Sequence, residues 1–446
     1  MKRSTTTSLG LALAAVLTLS ACGGGGSTDG GPAEEGGESS WTIPAEDPTA
    51  EINVVGILDP EADGMADVVA AFEADHPTID VNYQFVPFDN LNSVLDSRIT
   101  SKTGDPDLFW VDQPRVPALA ARGYLEDLTP QFSEGTSALQ EATVAASSYQ
   151  DKLWSLPVSN STQLLFYNKD LLDAAGVEPP STDPAARTTW QQLKEDAATV
   201  QAEGDADNGL LLGQPNRYYQ LEPLPVSAGG GIGATGEDNL TPDVANEGWV
   251  ESMAYYGSLF EEGIVPRGVP AEQTDATFLA GDTAYMVQGN WMVGKLAESD
   301  LNWGAALNPV WEGGEPATPN GSWSVGMNPF SQNKEAAAIF LQWLALEGES
   351  GYAEHRAYAE LPANLQGLES YLASDIFTSS EGGQQAAEVV AFETANTSVP
   401  RVSTVGYIEF EEIIGRAFSD IANGSDPQSA LDGAQQELTN AWQQYQ

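Results

Sequence analysis

The hydrophobic positions in the first part of the chain alternate between the spacing of strands and the spacing of helices. Apolar side chains at every second position predict a half-buried strand: Ile79, Val81, Tyr83 and Phe85. Apolar side chains three or four positions apart predict a helix before it: Met65, Val68, Val69 and Phe72. Apolar runs predict buried strands over 52–58 and 107–111, with a helix over 90–100 between them. Alternating strands and helices predict an α/β fold with a mainly parallel sheet flanked by helices.

Helical spacing returns in three later segments. Their apolar faces begin at Trp190, Trp249 and Ala336, and Thr189 with Gln192 is typical of a capping box before the first of them. About 400 residues follow the N-terminal region, which is enough for two domains or lobes. No internal repeat is evident.

The N-terminus has the layout of a cleaved secretory signal. Two basic residues precede an apolar stretch over 9–19, which ends in Leu-Ser-Ala before Cys22. This junction resembles the lipobox of bacterial lipoproteins, which implies a signal peptide over 1–21 and a lipid (palmitate) anchor on Cys22. Residues 23–40 are mostly Gly, Ser, Glu and Pro and include no large apolar side chain, so we expect a flexible tether over 22–48. The expected location is extracytoplasmic, with the chain anchored to the bacterial cell membrane.

The acidic composition of the chain disfavours some classes of binding partner. The sequence has 17 basic and 65 acidic residues, a formal net charge of -48. Nucleic acid is a poor partner because phosphate binding needs clustered Lys and Arg, and anionic ligands would be repelled at long range. No later stretch is long and apolar enough to predict a membrane span.

The motifs of common enzymes are incomplete here. His76 and His355 have no metal-ligand spacing to another His or Cys. The segment around Ser324 lacks the first Gly of a nucleophile elbow. Residues 231–236 match Gly-x-Gly-x-x-Gly, but no apolar helix follows. Residues 205–209 resemble a calcium loop without its distal ligand, which leaves cation binding open. The sequence therefore predicts no enzyme, cofactor or metal site.

The aromatic composition favours a sugar ligand. The chain has eleven Trp, and Trp110 and Trp291 have polar neighbours near the ends of predicted strands. A sugar is bound by an aromatic ring against its C–H face and by polar side chains at its hydroxyls. None of the candidate ligand-binding side chains is basic, which indicates a neutral sugar rather than an anion.

Several segments then resemble the family 1 extracellular solute-binding proteins, in the order of that family and from about residue 50 to residue 446. They are GDPDLFWVDQ at 104–113, LAARGYLEDL at 119–128, KLWSLPV at 152–158, LFYNKDLL at 165–172, GDTAYM at 281–286, GNW at 289–291 and PNGSWSV at 319–325. The resemblance implies a two-lobed, type II periplasmic-binding-protein fold with a ligand cleft that closes by hinge bending. It implies a first lobe over 49–160 and 305–350 and a second lobe over 161–304 and 351–446, with crossings near Asn160, Gly304 and residue 349.

The resemblance also implies the function and its residues. The chain is expected to be the binding component of an ABC importer, a monomer that takes up a mono- or oligosaccharide and passes it to membrane permease subunits. The ligand-binding residues carried over are Trp110, Asp112, Gln113, Asn160, Ser161, Trp291, Gly321 and Trp323, with Trp291 as stacking platform. Tyr218, Tyr219 and Glu222 are further candidates. The identity of the sugar stays open, as do two alternatives: a same-fold binder of a polyamine, phosphodiester or peptide, and a secreted hydrolase.

Overall fold

The computed structural model describes residues 41–348 and 360–446, without the side chains of residues 88 and 89. The predicted signal peptide, Cys22, most of the predicted tether, His355 and the expected crossing near residue 349 lie outside the described residues. Within them, none of the helices is both long and apolar enough to cross a lipid bilayer.

The described strands and helices alternate over much of the chain. The strands are β1 (Ala50–Gly56), β2 (Ile79–Phe85), β3 (Leu108–Asp112), β4 (Ser148–Tyr149), β5 (Lys152–Leu153), β6 (Ser155–Pro157), β7 (Ser159–Asn160), β8 (Gln163–Asn168), β9 (Asn208–Leu212), β10 (Ala234–Thr235), β11 (Thr241–Pro242), β12 (Thr283–Gly289), β13 (Trp303–Leu307), β14 (Thr318–Asn320), β15 (Trp323–Met327), β16 (Leu361–Pro362) and β17 (Ser398–Pro400). The α-helices are Met65–Asp75, Phe88–Ile99, Val116–Ala121, Thr129–Phe132, Glu141–Ala146, Lys169–Ala175, Trp190–Glu203, Tyr218–Leu221, Pro223–Ser227, Glu247–Glu261, Ala271–Leu279, Met292–Ala297, Lys334–Leu346, Leu365–Leu372, Asp375–Thr378, Glu381–Asn396, Tyr407–Ala422 and Pro427–Trp442.

The first lobe is built on a mixed five-stranded sheet in the order β2-β1-β3-β15-β6. The pairs β1–β2 and β1–β3 are parallel, and β15 runs antiparallel to β3 and β6. Aromatic side chains of the flanking helices pack together: the ring of Phe72 lies 4.8 Å from Phe340 and 5.5 Å from Trp343. The helical spacings that begin at Met65 and Ala336 therefore mark the faces that cover this sheet.

The second lobe is built on a four-stranded sheet in the order β13-β8-β12-β9. Helices from three separate stretches of sequence share its cores, including Trp190–Glu203, Glu247–Glu261 and Tyr407–Ala422. One half of the predicted capping box is present, because the hydroxyl of Thr189 accepts a hydrogen bond from the backbone N–H of Gln192 at 3.0 Å. The side chain of Gln192 does not form the other half but donates to Asp196 at 2.9 Å.

The crossings between the lobes differ in part from those expected. The chain leaves the first sheet after β6 and enters the second at β8, and Asn160 lies in β7 between them. The return was expected at Gly304, with the first lobe resuming at residue 305. That position is too early, because β13 pairs with β8 through residue 307, and the chain re-enters the first sheet only at Trp323.

The predicted tether, over 22–48, included residues that belong to the folded part of the chain. Trp41 is buried against the first lobe's core. Its indole N–H donates to Glu126 at 2.8 Å, and its backbone carbonyl accepts from Gln131 at 2.9 Å. Residues 41–48 therefore begin the folded part of the chain, because this Trp is the large apolar side chain that residues 23–40 lack.

Candidate ligand-binding cleft

A cleft of about 510 Å³ lies between the two lobes, where strands of both sheets end. The carboxyl ends of β1 and β3 and the start of β15 supply its wall in the first lobe: Ile57, Leu58, Asp112 and Trp323. The carboxyl ends of β9 and β12 supply much of the wall in the second lobe: Gly213, Gln214, Gln288 and Trp291. Ligands of open α/β folds bind at such strand ends, so this cleft is the candidate site.

Two aromatic rings lie side by side on the wall of the second lobe. Tyr219 and Trp291 have centroids 5.8 Å apart and ring planes inclined by 36°. The half-buried indole of Trp291 folds back over Gly289, where a Cβ would lie only 2.1 Å from the ring. A Gly at the end of β12 thus makes room for the ring, which explains the Gly-Asn-Trp sequence.

The neighbouring Asn290 fixes the turn that presents this ring. Its buried side-chain oxygen accepts a hydrogen bond from the backbone N–H of Thr162 at 3.0 Å. Because Thr162 lies where the chain enters the second lobe, the turn is tied to the start of β8. The polar neighbour of Trp291 is therefore a support for the backbone.

A chain of hydrogen bonds joins Tyr219 to the crossing segments. The Tyr219 hydroxyl donates to the Ser161 hydroxyl at 2.9 Å, which donates to the Gly321 carbonyl at 2.8 Å. The side chain of Gln163 donates to the Tyr219 carbonyl at 2.9 Å. Burial raises the pKa of Tyr219, so its hydroxyl stays protonated at neutral pH and keeps this direction of donation.

Gln113 and Asn160 hold the backbone that carries Gly321. The Gln113 side-chain oxygen accepts from the backbone N–H of Ser322 at 3.1 Å, and that of Asn160 accepts from Gly321 at 3.2 Å and Ser161 at 2.9 Å. Gly321 has a φ of +87°, and a Cβ there would lie 2.6 Å from the Gln113 oxygen. This position therefore requires Gly, for both its backbone conformation and its lack of a side chain.

A buried ion pair connects the two lobes beside this loop. The guanidinium of Arg401, which follows β17, donates to both carboxylate oxygens of Asp112 at 2.6 and 3.0 Å. It also lies 5.3 Å from the ring centroid of Tyr219. Burial disfavours the charged guanidinium, but the Asp112 carboxylate outweighs this, and the net effect raises the pKa of Arg401.

The cleft contains basic side chains, contrary to the expectation from sequence. Arg217, Lys295 and Arg401 all line it. The ammonium of Lys295 lies 2.7 Å from Asp275, which also accepts from Gln288 at 2.8 Å, and Arg401 is held by Asp112. The positive charges of Lys295 and Arg401 are thus compensated inside the protein rather than left for an anionic ligand.

Glu222 is a buried carboxyl close to this site. The Tyr218 hydroxyl lies 2.6 Å from the Ile232 carbonyl and 3.1 Å from the Glu222 carboxyl. The Tyr218 hydroxyl has one proton to donate to these two acceptors, so a protonated Glu222 can in turn donate to the Tyr218 oxygen. Burial raises the pKa of Glu222 to about 8, which agrees with a neutral carboxyl at pH 7.

The predicted site residues fall into two groups. Asp112, Ser161, Trp291, Gly321 and Trp323 line the cleft. The remaining predictions lie behind its surface: Trp110, Gln113 and Asn160.

Trp110 lies in the core of the first lobe. Its side chain is 0% exposed and packs edge-on against Tyr83 at 5.8 Å. It precedes the last residue of β3 by two positions, or about 7 Å along a strand, so it points to the same face as Asp112 but stays inside the sheet. Sequence alone placed it at the strand end.

The sequence did not identify several side chains that line the cleft. They include Asp63, Arg217, Asp275, Gln288, Lys295, Arg401 and Glu411. Arg401 could have been noticed only because basic residues are rare in this chain, which has 17 of them. Its partner Asp112 lies in another lobe, and no local pattern connects the two positions.

The other candidate motifs form ordinary local structure. Within 41–348 and 360–446, no group of three or more His, Cys, Asp or Glu side chains is arranged to hold a metal ion. His76 hydrogen-bonds Asp47 at 2.9 Å. Residues 231–236 lead through β10 into a short 3-10 turn rather than into an α-helix, so they lack the helix N-terminus that a dinucleotide site needs.

Comparison with known proteins then identifies the family. Residues 59–350, more than half of the chain, match the family model described as bacterial extracellular solute-binding protein. The chain belongs to this family. It is 25% identical over 385 residues to the galactooligosaccharide-binding protein of Bacillus subtilis (strain 168), covering 84% of this chain and 85% of that protein. It is 27% identical over 267 residues to the maltodextrin-binding protein MdxE of the same organism, covering 58% of this chain and 61% of that protein.

Solved structures confirm the two-lobed fold of this family member. An ABC substrate-binding protein from Listeria monocytogenes in complex with cycloalternan superposes with a TM-score of 0.76 at 23% identity, covering 88% of this chain and 99% of that one. The GacH receptor of Streptomyces glaucescens, solved unliganded and with acarbose, superposes with a TM-score of 0.74 at 22% identity, covering 90% and 100%. The predicted type II binding-protein architecture is therefore correct.

Proposed function

We propose that this solute-binding protein captures an oligosaccharide in the interlobe cleft and delivers it to the permease subunits of an ABC importer. The observation that carries the proposal is the pair of aromatic rings, Trp291 and Tyr219, in a cleft that Trp323 and amide side chains also line. Aromatic faces fit the C–H faces of sugar rings, and amides fit their hydroxyls. Galactooligosaccharide and maltodextrin binding by the two Bacillus relatives supports the same ligand class.

The charges of the cleft support a ligand without a net negative charge. Asp112 and Asp275 have cationic partners within the protein, while Asp63 and Glu272 also line the cleft. Burial raises the pKa of Asp63, and an anionic ligand nearby would raise it further. A neutral saccharide avoids this repulsion and can donate hydroxyl protons to these carboxylates.

The proposed role is capture without a chemical step. Two carboxyl groups that hydrolyse a glycosidic bond must flank it, one as acid and one as base or nucleophile. Asp112 and Asp275 face the cleft from opposite lobes, and each accepts a hydrogen bond from a neighbouring side chain, that of Arg401 or that of Gln288. These hydrogen bonds hold both carboxylates in the walls of the cleft, and this arrangement favours ligand binding over catalysis.

A panel of solutes tests the ligand class. Thermal unfolding of the purified mature chain is measured with mono- and oligosaccharides, polyamines, phosphodiesters and peptides. A saccharide at 100 times its dissociation constant should stabilise the protein by about 2.7 kcal/mol. Stabilisation by a polyamine or peptide, with none by any saccharide, would reject the sugar proposal.

We further propose that Cys22 carries a lipid that holds the protein, as a monomer, on the outer side of the cell membrane. The support is the Leu-Ser-Ala-Cys junction after an apolar stretch. The variant Cys22→Ser should be released from the membrane fraction and keep its affinity for ligand. Mass spectrometry that finds the wild-type mature N-terminus without lipid would contradict the anchor.

A further inference from the structure

Ion pairs between the lobes are grouped beside one part of the cleft. Besides the Asp112–Arg401 pair, Arg115 of the first lobe bonds Glu411 of the second. Arg122 of the first lobe lies 3.4 Å from Glu409, which also accepts from the Tyr445 hydroxyl at 2.8 Å. The first-lobe partners lie at the end of β3 or after it: Asp112, Arg115 and Arg122. The second-lobe partners lie on the helix Tyr407–Ala422 or just before it: Arg401, Glu409 and Glu411. The pairs therefore form a row along one edge of the contact between the lobes.

In the Arg115–Glu411 pair, one partner lines the cleft and the other holds it from the opposite lobe. Glu411 lines the cleft, as do Asp112 and Arg401 of the neighbouring pair. Arg115 holds Glu411 from the first lobe, and both side chains are largely buried, with 13% and 24% of their surface exposed. A partly desolvated charge pair resists separation, because removing either partner leaves a charge without water or counterion.

A bridge of this kind limits the ligand in one direction. A saccharide chain that extended past Glu411 would have to pass between two side chains that bond each other across the lobes. We propose that the Arg115–Glu411 bridge is an end wall that sets the maximum length of the bound oligosaccharide, with the terminal sugar residue against Glu411. This inference rests on the proposed function, and it adds a length limit and the residues that determine it.

Calorimetric titration of ligands of increasing length tests the wall. The probes are malto-oligosaccharides and galactooligosaccharides from the disaccharide to the hexasaccharide, titrated into the full mature chain. For the wild type, affinity should stop rising, or fall, beyond one length. In the double variant Arg115→Ala/Glu411→Ala, affinity should keep rising past that length, by about tenfold for a well-packed additional sugar. Each affinity is compared as its ratio to the affinity of the same variant for the disaccharide, so that a uniform change in binding is separated from a change in the length limit.

Two further variants separate a wall from a general effect on charge or folding. Arg115→Glu/Glu411→Arg restores the bridge with reversed polarity and should restore the length limit. Glu412→Ala removes a carboxylate from the next position of the same helix, where its partner is Arg416 on the exposed face. This control should leave the length profile of the wild type unchanged.

The remaining outcomes overturn the inference in distinguishable ways. A double variant that loses affinity equally for every length would make the pair a clasp that holds the lobes together or a direct ligand contact. A length profile identical to that of the wild type, or a wild type whose affinity rises up to the hexasaccharide, would show that no wall exists at this position. A wild type that binds none of the saccharides would overturn the proposed function and, with it, this inference.

Discussion

Trp291 combines a half-exposed ring with a fixed backbone, which is the combination that a stacking platform needs. We expect Trp291→Ala to weaken saccharide binding by about 2–4 kcal/mol, the range of a buried aromatic hot spot. The unfolding temperature without ligand should change little, because the ring partly faces the cleft. Calorimetry and thermal unfolding of the same preparation measure both quantities.

Trp311 is the matched control for this substitution. It lies in the same lobe, is 7% exposed and packs edge-on against Tyr255 at 5.6 Å. Trp311→Ala should therefore lower stability by about 3–5 kcal/mol, the cost of a large core cavity. If Trp291→Ala instead behaves in this way, and the folded protein binds sugar normally, the platform role is wrong.

The protonation of Glu222 should make the stability of the protein depend on pH. Its pKa is about 8 in the folded protein and near 4.5 in the unfolded chain. The folded state thus holds the proton over a range where the unfolded chain has lost it, so the free energy of unfolding should fall as the pH rises through this window. The expected slope from this residue is about 1.4 kcal/mol per pH unit, with no further loss above about pH 8.

The variant Glu222→Gln isolates this contribution. Its amide can donate to the Tyr218 oxygen as the protonated carboxyl does, without titrating. Urea unfolding at several values between about pH 5 and pH 8 should show that the wild type loses stability relative to the variant as the pH rises. A difference between the two proteins that stays constant across this range would mean that Glu222 is ionised in the folded state.

Single positions differ in how far sequence could predict them. The position of Trp291 on the cleft wall was predictable because Gly289, which makes room for its ring, is two residues away in the same motif. The bond from Thr162 that fixes Asn290 is distant in sequence and was not predictable. Trp110 was placed wrongly relative to the cleft because two residues of strand separate a core position from an edge position. Gln113 and Asn160 were recognised as belonging to the region, but which backbone groups they hold depends on Gly321, which is distant in sequence.

The end of β12 and the turn after it act as one element. The indole of Trp291 covers Gly289, whose own backbone conformation is not of the left-handed kind. Gly289→Ala should therefore displace the ring without straining the backbone, and should reduce saccharide affinity nearly as much as Trp291→Ala. Because both substitutions remove the same contact, the double variant should bind no more weakly than Trp291→Ala alone.

Gly433→Ala is the control for adding a methyl group. Gly433 lies in the helix Pro427–Trp442 with open space at its Cβ position, so the change should leave affinity unchanged and stabilise the helix by up to about 1 kcal/mol. Calorimetry measures saccharide affinity for Gly289→Ala, Trp291→Ala, their double variant and Gly433→Ala. Additive losses from Gly289→Ala and Trp291→Ala would show that Gly289 acts through something other than the ring.

Elements with a strong period were predictable, and connections between lobes were not. The predicted strand over 79–85 matches β2, and the helices that begin at Met65 and Trp190 are present because one face of each is continuously apolar. The return to the first lobe was misplaced because β13 has the same apolar character whichever sheet it joins. β13 belongs to the second sheet because it pairs with β8, and the local hydrophobic period of a strand does not show which strand it pairs with.

The lobes as a whole are expected to close on a ligand. Binding can drive closure only if the ligand has more favourable contacts in the closed state, which Trp291 and Trp323 on opposite lobes can provide. Small-angle scattering should give a smaller radius of gyration at saturating saccharide. Trp291→Ala at the same ligand concentration should show a smaller decrease, and an unchanged wild-type profile at saturation would argue against closure.

The position of β15 has a consequence for how the protein is made. This strand lies between β3 and β6 in the first sheet, yet it follows every strand of the second sheet in sequence. A chain that has emerged from its translocation channel only as far as residue 307 can complete the second sheet, while β3 and β6 still lack their common neighbour. Unpaired strand edges invite association with other chains. The sheet that begins first is thus finished last, and during the interval before β15 appears the facing edges of β3 and β6 are open to association with other chains.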